Sequence, residues 1–294
     1  MNIGMTLPGM ERGLDRQRIM EWCRRVDAGP FSSLAFGERM AFYNPELISM
    51  LGACAVLTER VRLSTTIIVM PLHNPVMLAK QLATLDVLCE GRLSVGLGIG
   101  GRREDHLAVS ADPARIRNAA LAEDVAVMRR VWRGEEVVPG LHGLIEPKPV
   151  QPGGPELLAG AMGPRAVRLA ATWADGLTGF SWGADPDEVA PIFEMARKAW
   201  AEEGRDAPKL KTGFWVAVGE GARDQLAGHL GRYLSWLSPA EREQSMKGSG
   251  FAGSAAELRD LLRRLEDLGA EEVNLVSTRG EPDEVDRLAD AVGK

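Results

Sequence analysis

The chain has 294 residues, 45% of them hydrophobic and 26% charged, enough to bury a large core as one big domain or two smaller ones. A formal charge of −6 excludes the basic surplus that a nucleic-acid surface requires and points to a neutral or small-molecule partner. The N-terminus, MNIGMTLPGMERG, has neither the basic flank nor the apolar core of a secretory signal. The longest apolar run, 47–57, is far short of the roughly 20 residues of a bilayer span, so a soluble protein without a membrane partner is expected.

Along the chain, short β-rich runs alternate with longer segments of helical period. NIGMTL (2–7) reads as a first strand, followed by a helix over 14–29. SSLAFGE (32–38) is the second strand and delivers Glu38 and Arg39 to its exit. The helix over 44–60 opens with Asn44-Pro45, a capping side chain before a proline at the first helical position. VRLSTTIIVM (61–70) has the β-branched density of a strand buried on both faces, and it runs into His73, fenced by Pro71 and Pro75. The prolines stiffen that exit and hold the imidazole in one place. In the next helix, 74–91, Leu78, Leu82, Leu85 and Leu88 recur at three- and four-residue steps, so one face covers a sheet.

The fourth strand, RLSVGLGIG (92–100), contains a formal GxGxxG at Gly96, Gly98 and Gly101. GRREDHLAVSAD, with His106, intervenes before the Asp112-Pro113 cap of a helix over 113–134, so the direct entry into a helix that a dinucleotide fingerprint needs is missing. Two uses remain open for these glycines: close approach of a flat ligand, or tight packing in the sheet. The proline-rich segment from Gly134 to Gly154 predicts a surface hairpin and return loop. ELLAGAM (156–162) is the fifth strand. Gly163 and Pro164 then open a helix whose first-turn amides either attract a phosphate, with Arg165 adding charge, or form a routine glycine-proline start. Strands over 175–182, 210–219 and 271–278 alternate with helices over 185–204, 223–237, 254–269 and 281–293. The polar, glycine-bearing run 238–253 is expected to be mobile.

Eight strands, nearly every one followed by a helix, predict an α/β protein: a single (β/α)8 TIM-barrel domain with a short insertion after the fourth helix. A doubly wound sheet is disfavoured because no linker marks two halves. In a barrel the loops at the carboxyl ends of the strands form the reaction face, which gathers Glu38, Arg39, His73, Gly98, Gly100, His106, Met162, Gly163 and Trp182 on one side. His73 there either moves protons or hydrogen-bonds its turn. Cys23, Cys54 and Cys89 lack metal or redox spacing and fit buried thiols in a reducing cytoplasm, and the four scattered histidines predict no metal site.

Three stretches considered together, TTIIVMPLHNPVMLAKQLATLDVLCEGRLSVGLGIG (65–100), the segment NPELISMLGACAVLTERVRL (44–63) and GPRAVRLAATWADG (163–176), resemble the bacterial luciferase-like superfamily of flavin-dependent oxidoreductases over nearly the whole chain. The resemblance implies a TIM barrel that binds FMN, or the deazaflavin coenzyme F-420, at the carboxyl ends of the strands. It also implies a non-proline cis peptide at Thr66–Ile67 that bulges behind the flavin ring. Gly98 and Gly100 would border that ring, and Gly160, Ala161, Met162, Gly163 and Pro164 would hold the phosphate. Two residues depart from the pattern: Arg39 stands where a histidine is usual, and Ile99 stands where some members carry a phosphate-contacting arginine.

The implied activity is a monooxygenase using reduced FMN and O2 on a small organic substrate. His73 is the first choice for proton transfer, with Glu38, Arg39 and His106 supporting it or contacting substrate. The alternatives are hydride transfer with the deazaflavin coenzyme and a non-catalytic flavin-binding barrel. A separate flavin reductase and a second copy of the chain are the protein partners this resemblance allows.

Overall fold

The computed structural model describes residues 1–137 and 145–293. In chain order its strands are β1 (Asn2–Thr6), β2 (Ser33–Phe36), β3 (Arg62–Thr65), β4 (Ile68–Val69), β5 (Leu93–Gly98), β6 (Glu156–Ala159), β7 (Gly176–Thr178), β8 (Lys209–Val218), β9 (Phe251–Gly253) and β10 (Glu272–Ser277). All pairings are parallel. β1 pairs with both β2 and β10, and β10 pairs with β8 from Glu272↔Lys211 to Ser277↔Val216, which closes the ring. β3 and β4 are one barrel strand split at Thr66–Ile67, so the ring has eight staves, and β9 extends the upper end of β8 outside it. This is the expected (β/α)8 barrel. All six residues of β5 are buried, as befits a strand covered on both faces.

The helices are α1 (Arg16–Ala28), α2 (Leu47–Leu57), α3 (Pro75–Leu88), α4 (Arg103–Ala108), α5 (Asn118–Arg133), α6 (Pro164–Ala170), α7 (Pro186–Glu202), α8 (Ala222–Tyr233), α9 (Pro239–Met246), α10 (Ala255–Asp267) and α11 (Asp283–Val292). Asn74 caps α3 as the sequence predicts, its side chain accepting from the amides of Val76 and Met77 at 3.0 and 3.1 Å. Two other caps differ. Glu46, not Asn44, caps α2 by accepting from Ile48 and Ser49, because the helix starts three residues past Asn44. Asp112 caps only a 3-10 turn over Pro113–Arg115, and α5 begins at Asn118.

The segment expected to be mobile, 238–253, contains α9 and β9. The stretch that intervenes between the fourth strand and the Asp112-Pro113 cap contains α4. The expected hairpin lies partly outside the described residues, and residues 145–154 contain neither helix nor strand. All three thiols are free and buried. Among the described residues, no helix is long and apolar enough to cross a membrane.

The floor of the barrel, at the amino ends of the strands, holds ions. Lys211 of β8 is 3.0 Å from Glu156 of β6 and 3.3 Å from Glu272 of β10, with all three side chains no more than 9% exposed. Lys209 and Ser94 also bond Glu156, and Ser32 donates to Glu272 at 2.6 Å. Charge at this end serves stability, since the reaction face is the opposite one.

Candidate active site

Glu38 leaves β2 and turns toward the third stave. Its own amide donates to the Ile67 carbonyl at 3.1 Å. Its carboxylate, 4% exposed, accepts from the Val69 amide at 2.7 Å and from His73 Nε2 at 2.9 and 3.0 Å. Val69 and His73 flank the one-turn 3-10 helix Met70–Leu72, and the His73 amide closes that turn onto the Met70 carbonyl. A carboxylate can only accept, so Nε2 carries a proton and Nδ1, which makes no hydrogen bond among the described residues, is left as the basic atom of the ring. His73 thus bonds its turn through its backbone, while its ring is aligned by a buried carboxylate.

The Thr66–Ile67 peptide bond is cis, as the family resemblance implies. The bulge aims the Ile67 side chain across the neighbouring staves, and this explains the glycines. A β-carbon at Gly98 would lie 2.2 Å from Ile67 Cδ1, one at Gly160 would lie 2.9 Å from Ile67 Cγ2, and one at Gly96 would meet the Thr65 carbonyl at 2.3 Å and Ile67 Cγ2 at 3.2 Å. Gly37 is needed for the same reason, since a β-carbon there would be 2.8 Å from the Thr66 carbonyl. The GxGxxG spacing thus has a packing cause at Gly96 and Gly98. Gly100 has a positive φ of 69° and carries the chain over Val69 and beside His106.

Past β6, Gly160, Met162, Gly163 and Pro164 are exposed and Ala161 is buried. Among the described residues, no hydrogen bond engages the amides of Ala161, Met162 and Gly163, and a β-carbon at Gly163 would meet nothing within 4 Å. Gly160 and Ala161 also line a narrow crevice with Leu97, Ala159, Ala166 and Leu169, behind the strands against α6.

Arg39 and His106 fall on a second side of the mouth. Asp105 accepts from the amides of Met40 and Ala41 at 2.8 and 2.6 Å, tying the loop after β2 to α4. Arg39 is only 9% exposed, and its Nε and Nη1 have no hydrogen-bond partner. Its guanidinium lies 3.8 Å from the Phe42 ring centroid and 5.1 Å from that of Tyr233. Burial pushes the Arg39 pKa below its ordinary value, and the charge of Arg102 pushes the same way. His106 is 8% exposed with Nδ1 unpartnered. Beyond Tyr233 runs an aromatic chain: Trp215 at 5.0 Å from it, then Trp182 and Phe180 at 5.1 and 4.6 Å from Trp215.

The structure therefore joins Glu38 to His73, and Thr66–Ile67 to Gly98 and Gly160. It sets Arg39 among aromatic rings and leaves residues 162–164 facing solvent. Sequence reasoning placed Arg102 near Ile99 but missed Asp105 and Tyr233. Tyr233 comes from a helix some 190 residues downstream of Arg39, and no local pattern announces such a meeting.

Residues 1–273 match the luciferase-like monooxygenase family, and the chain belongs to it. An uncharacterised protein of Mycobacterium tuberculosis is 36% identical over 162 residues, a region that spans 53% of this chain and 56% of that protein. The 4-hydroxyprotoasukamycin monooxygenase of Streptomyces nodosus subsp. asukaensis is 28% identical over 280 residues, covering 88% of this chain and 73% of its own. Among solved structures, an F420-dependent secondary alcohol dehydrogenase in complex with an F420-acetone adduct superposes with a TM-score of 0.78 at 19% identity over the full length of both chains. The oxygenating constituent of the 3,6-diketocamphane monooxygenase of Pseudomonas putida, in complex with FMN, gives 0.77 at 16% identity over 99% of this chain and 96% of its own. At these identities the structural likeness concerns the fold.

Proposed function

We propose that this chain is an oxidoreductase that binds a flavin-type coenzyme in the mouth of the barrel, and that it is a monooxygenase using reduced FMN and O2 on a small organic substrate. The observation that carries the proposal is the packing of Ile67 at the exit of the third strand: its side chain lies across two glycine-bearing staves and makes an apolar wall there. The chain's residues fit such a group in two further respects. Unengaged amides at 161–163 suit an anionic phosphate, and a buried carboxylate–imidazole pair stands beside the wall.

The coenzyme, when bound, supplies the redox chemistry. The chain supplies orientation, exclusion of water and a proton site. Glu38 fixes the His73 tautomer with its proton on Nε2, so Nδ1 is the atom we assign to proton transfer. Gly98 and Gly100 would border the ring, Gly160 to Pro164 would hold the phosphate, and Arg39 and His106 would face the substrate.

Hydride transfer with a deazaflavin coenzyme is the second reading. It is favoured by a phosphate cradle that uses backbone amides alone, with Ile99 in the place of an arginine. Calorimetric titration with oxidised FMN, reduced FMN and the deazaflavin coenzyme, followed by oxygen-electrode assays, separates the two. Tight binding of reduced FMN with oxygen uptake on substrate addition supports the monooxygenase. Preference for the deazaflavin with product formed under argon supports the second reading, and binding of none of the three refutes both.

A further inference from the structure

Arg39 is more than nine-tenths buried, yet Nε and Nη1 donate to nothing. Buried cations are ordinarily paired, because an uncompensated charge and its unmade hydrogen bonds are costly. The nearest carboxylate, Asp105, is turned away to the amides of Met40 and Ala41. A second cation stands close by: Arg102 lies 4.7 Å from the ring centroid of Tyr233, the same ring that Arg39 overlies, and 5.0 Å from that of Trp236. Four residues along α4 from Arg102, one turn on, His106 has a buried and unpartnered Nδ1. Two guanidinium groups over one ring, with a donor-capable imidazole beside them and no anion paired to either among the described residues, leave a site short of negative charge.

We propose that Arg39 and Arg102 form an anion subsite at the rim of the mouth that takes the carboxylate of an aromatic substrate. The inference rests on the proposed oxidoreductase reading and names the substrate class for it. A guanidinium stacked on aromatic faces donates in its own plane, which suits a flat two-oxygen acceptor. The rings of Tyr233, Trp215 and Trp182, which run away from Arg39, suit an aromatic body attached to that acceptor. The phosphate of the coenzyme is the other oxyanion that this chemistry could hold, and the test separates the two.

The test is calorimetric titration of the full chain with 2-naphthoate and its neutral isostere 2-naphthamide, in the wild type, Arg39→Gln and Arg102→Gln, alongside titrations with FMN and the deazaflavin coenzyme. The expected result is naphthoate binding at least tenfold tighter than naphthamide in the wild type. That gap should fall below threefold in Arg39→Gln and narrow in Arg102→Gln, with coenzyme affinities unchanged. Arg102 is half-buried, so its variant still reads the gap if Arg39→Gln does not fold. Equal binding of acid and amide by the wild type, or no binding of the acid, overturns the proposal. So does a gap that survives both substitutions. Loss of FMN affinity in the variants with the gap intact also overturns it and assigns the arginines to the coenzyme. A wild type that binds neither coenzyme strikes the oxidoreductase reading instead, while the acid-to-amide gap still judges the arginines.

Discussion

Lys211→Met removes the one cation shared by two buried carboxylates at the barrel floor. Burial alone would raise the Glu156 pKa, but Lys211, Lys209 and Ser94 together hold it at about 2 against an ordinary 4.5. A displacement of that size corresponds to roughly 3 kcal/mol of stability. Because the folded pKa is the lower one, this contribution is fully present above about pH 4.5 and is lost as pH falls through about 2. Without Lys211, Glu272 loses its buried cation and Glu156 keeps only the more exposed Lys209, and removing one partner of a buried pair costs about 3–5 kcal/mol. Urea denaturation at pH 7 should show a loss of that order. The loss should shrink between pH 4.5 and about pH 3, as Glu156 of the wild type begins to give up its ion pairs. A penalty below about 1 kcal/mol at pH 7, or one equal at pH 4.5 and about pH 3, would refute the assignment of the triad as a charge-compensated support. Coenzyme affinity should not change, because the floor is the end of the barrel opposite the mouth.

Four other substitutions probe the mouth and the helices around it. Gly98→Ala collides with Ile67 Cδ1 and should cost about 1–3 kcal/mol in chemical denaturation while weakening flavin binding; unchanged flavin affinity would separate the bulge from the coenzyme. His73→Ala should lower turnover about a hundredfold or more with little change in flavin affinity, and Glu38→Gln, which keeps the shape but loses the charge, should lower it in the same direction. Equal kcat in wild type and both variants would remove the pair from the chemistry. Ser254→Ala breaks the capping box with Glu257 at the start of α10 and should cost about 1 kcal/mol, read as a lower midpoint in urea.

The barrel was legible because its strands are apolar runs that need no partner to be recognised: all six residues of β5 and nine of the ten of β8 are buried. α9 was missed because it buries no residue and so shows no apolar period. Its start was written nonetheless in Ser238 and Glu241, a capping box three residues apart. β9, three half-buried residues, is too short to show an alternation. The position of His73 at a strand exit could be read from the prolines, but its bond to Glu38 spans 35 residues and emerges only when the second and third staves pair. The glycines of the fourth strand could be counted and not explained, since their cause is a side chain on another strand, aimed there by a backbone geometry that composition does not encode.

That shared cause has a practical side. The bulk of residue 67 and the missing β-carbons at 96, 98 and 160 are complementary halves of one shape divided among three staves. Anyone redesigning the depth of the mouth should trim position 67, with Ile67→Val as the first step, and leave the glycines alone. Enlarging a glycine pushes on the wall from behind, whereas shortening the isoleucine opens space that no neighbour has to surrender.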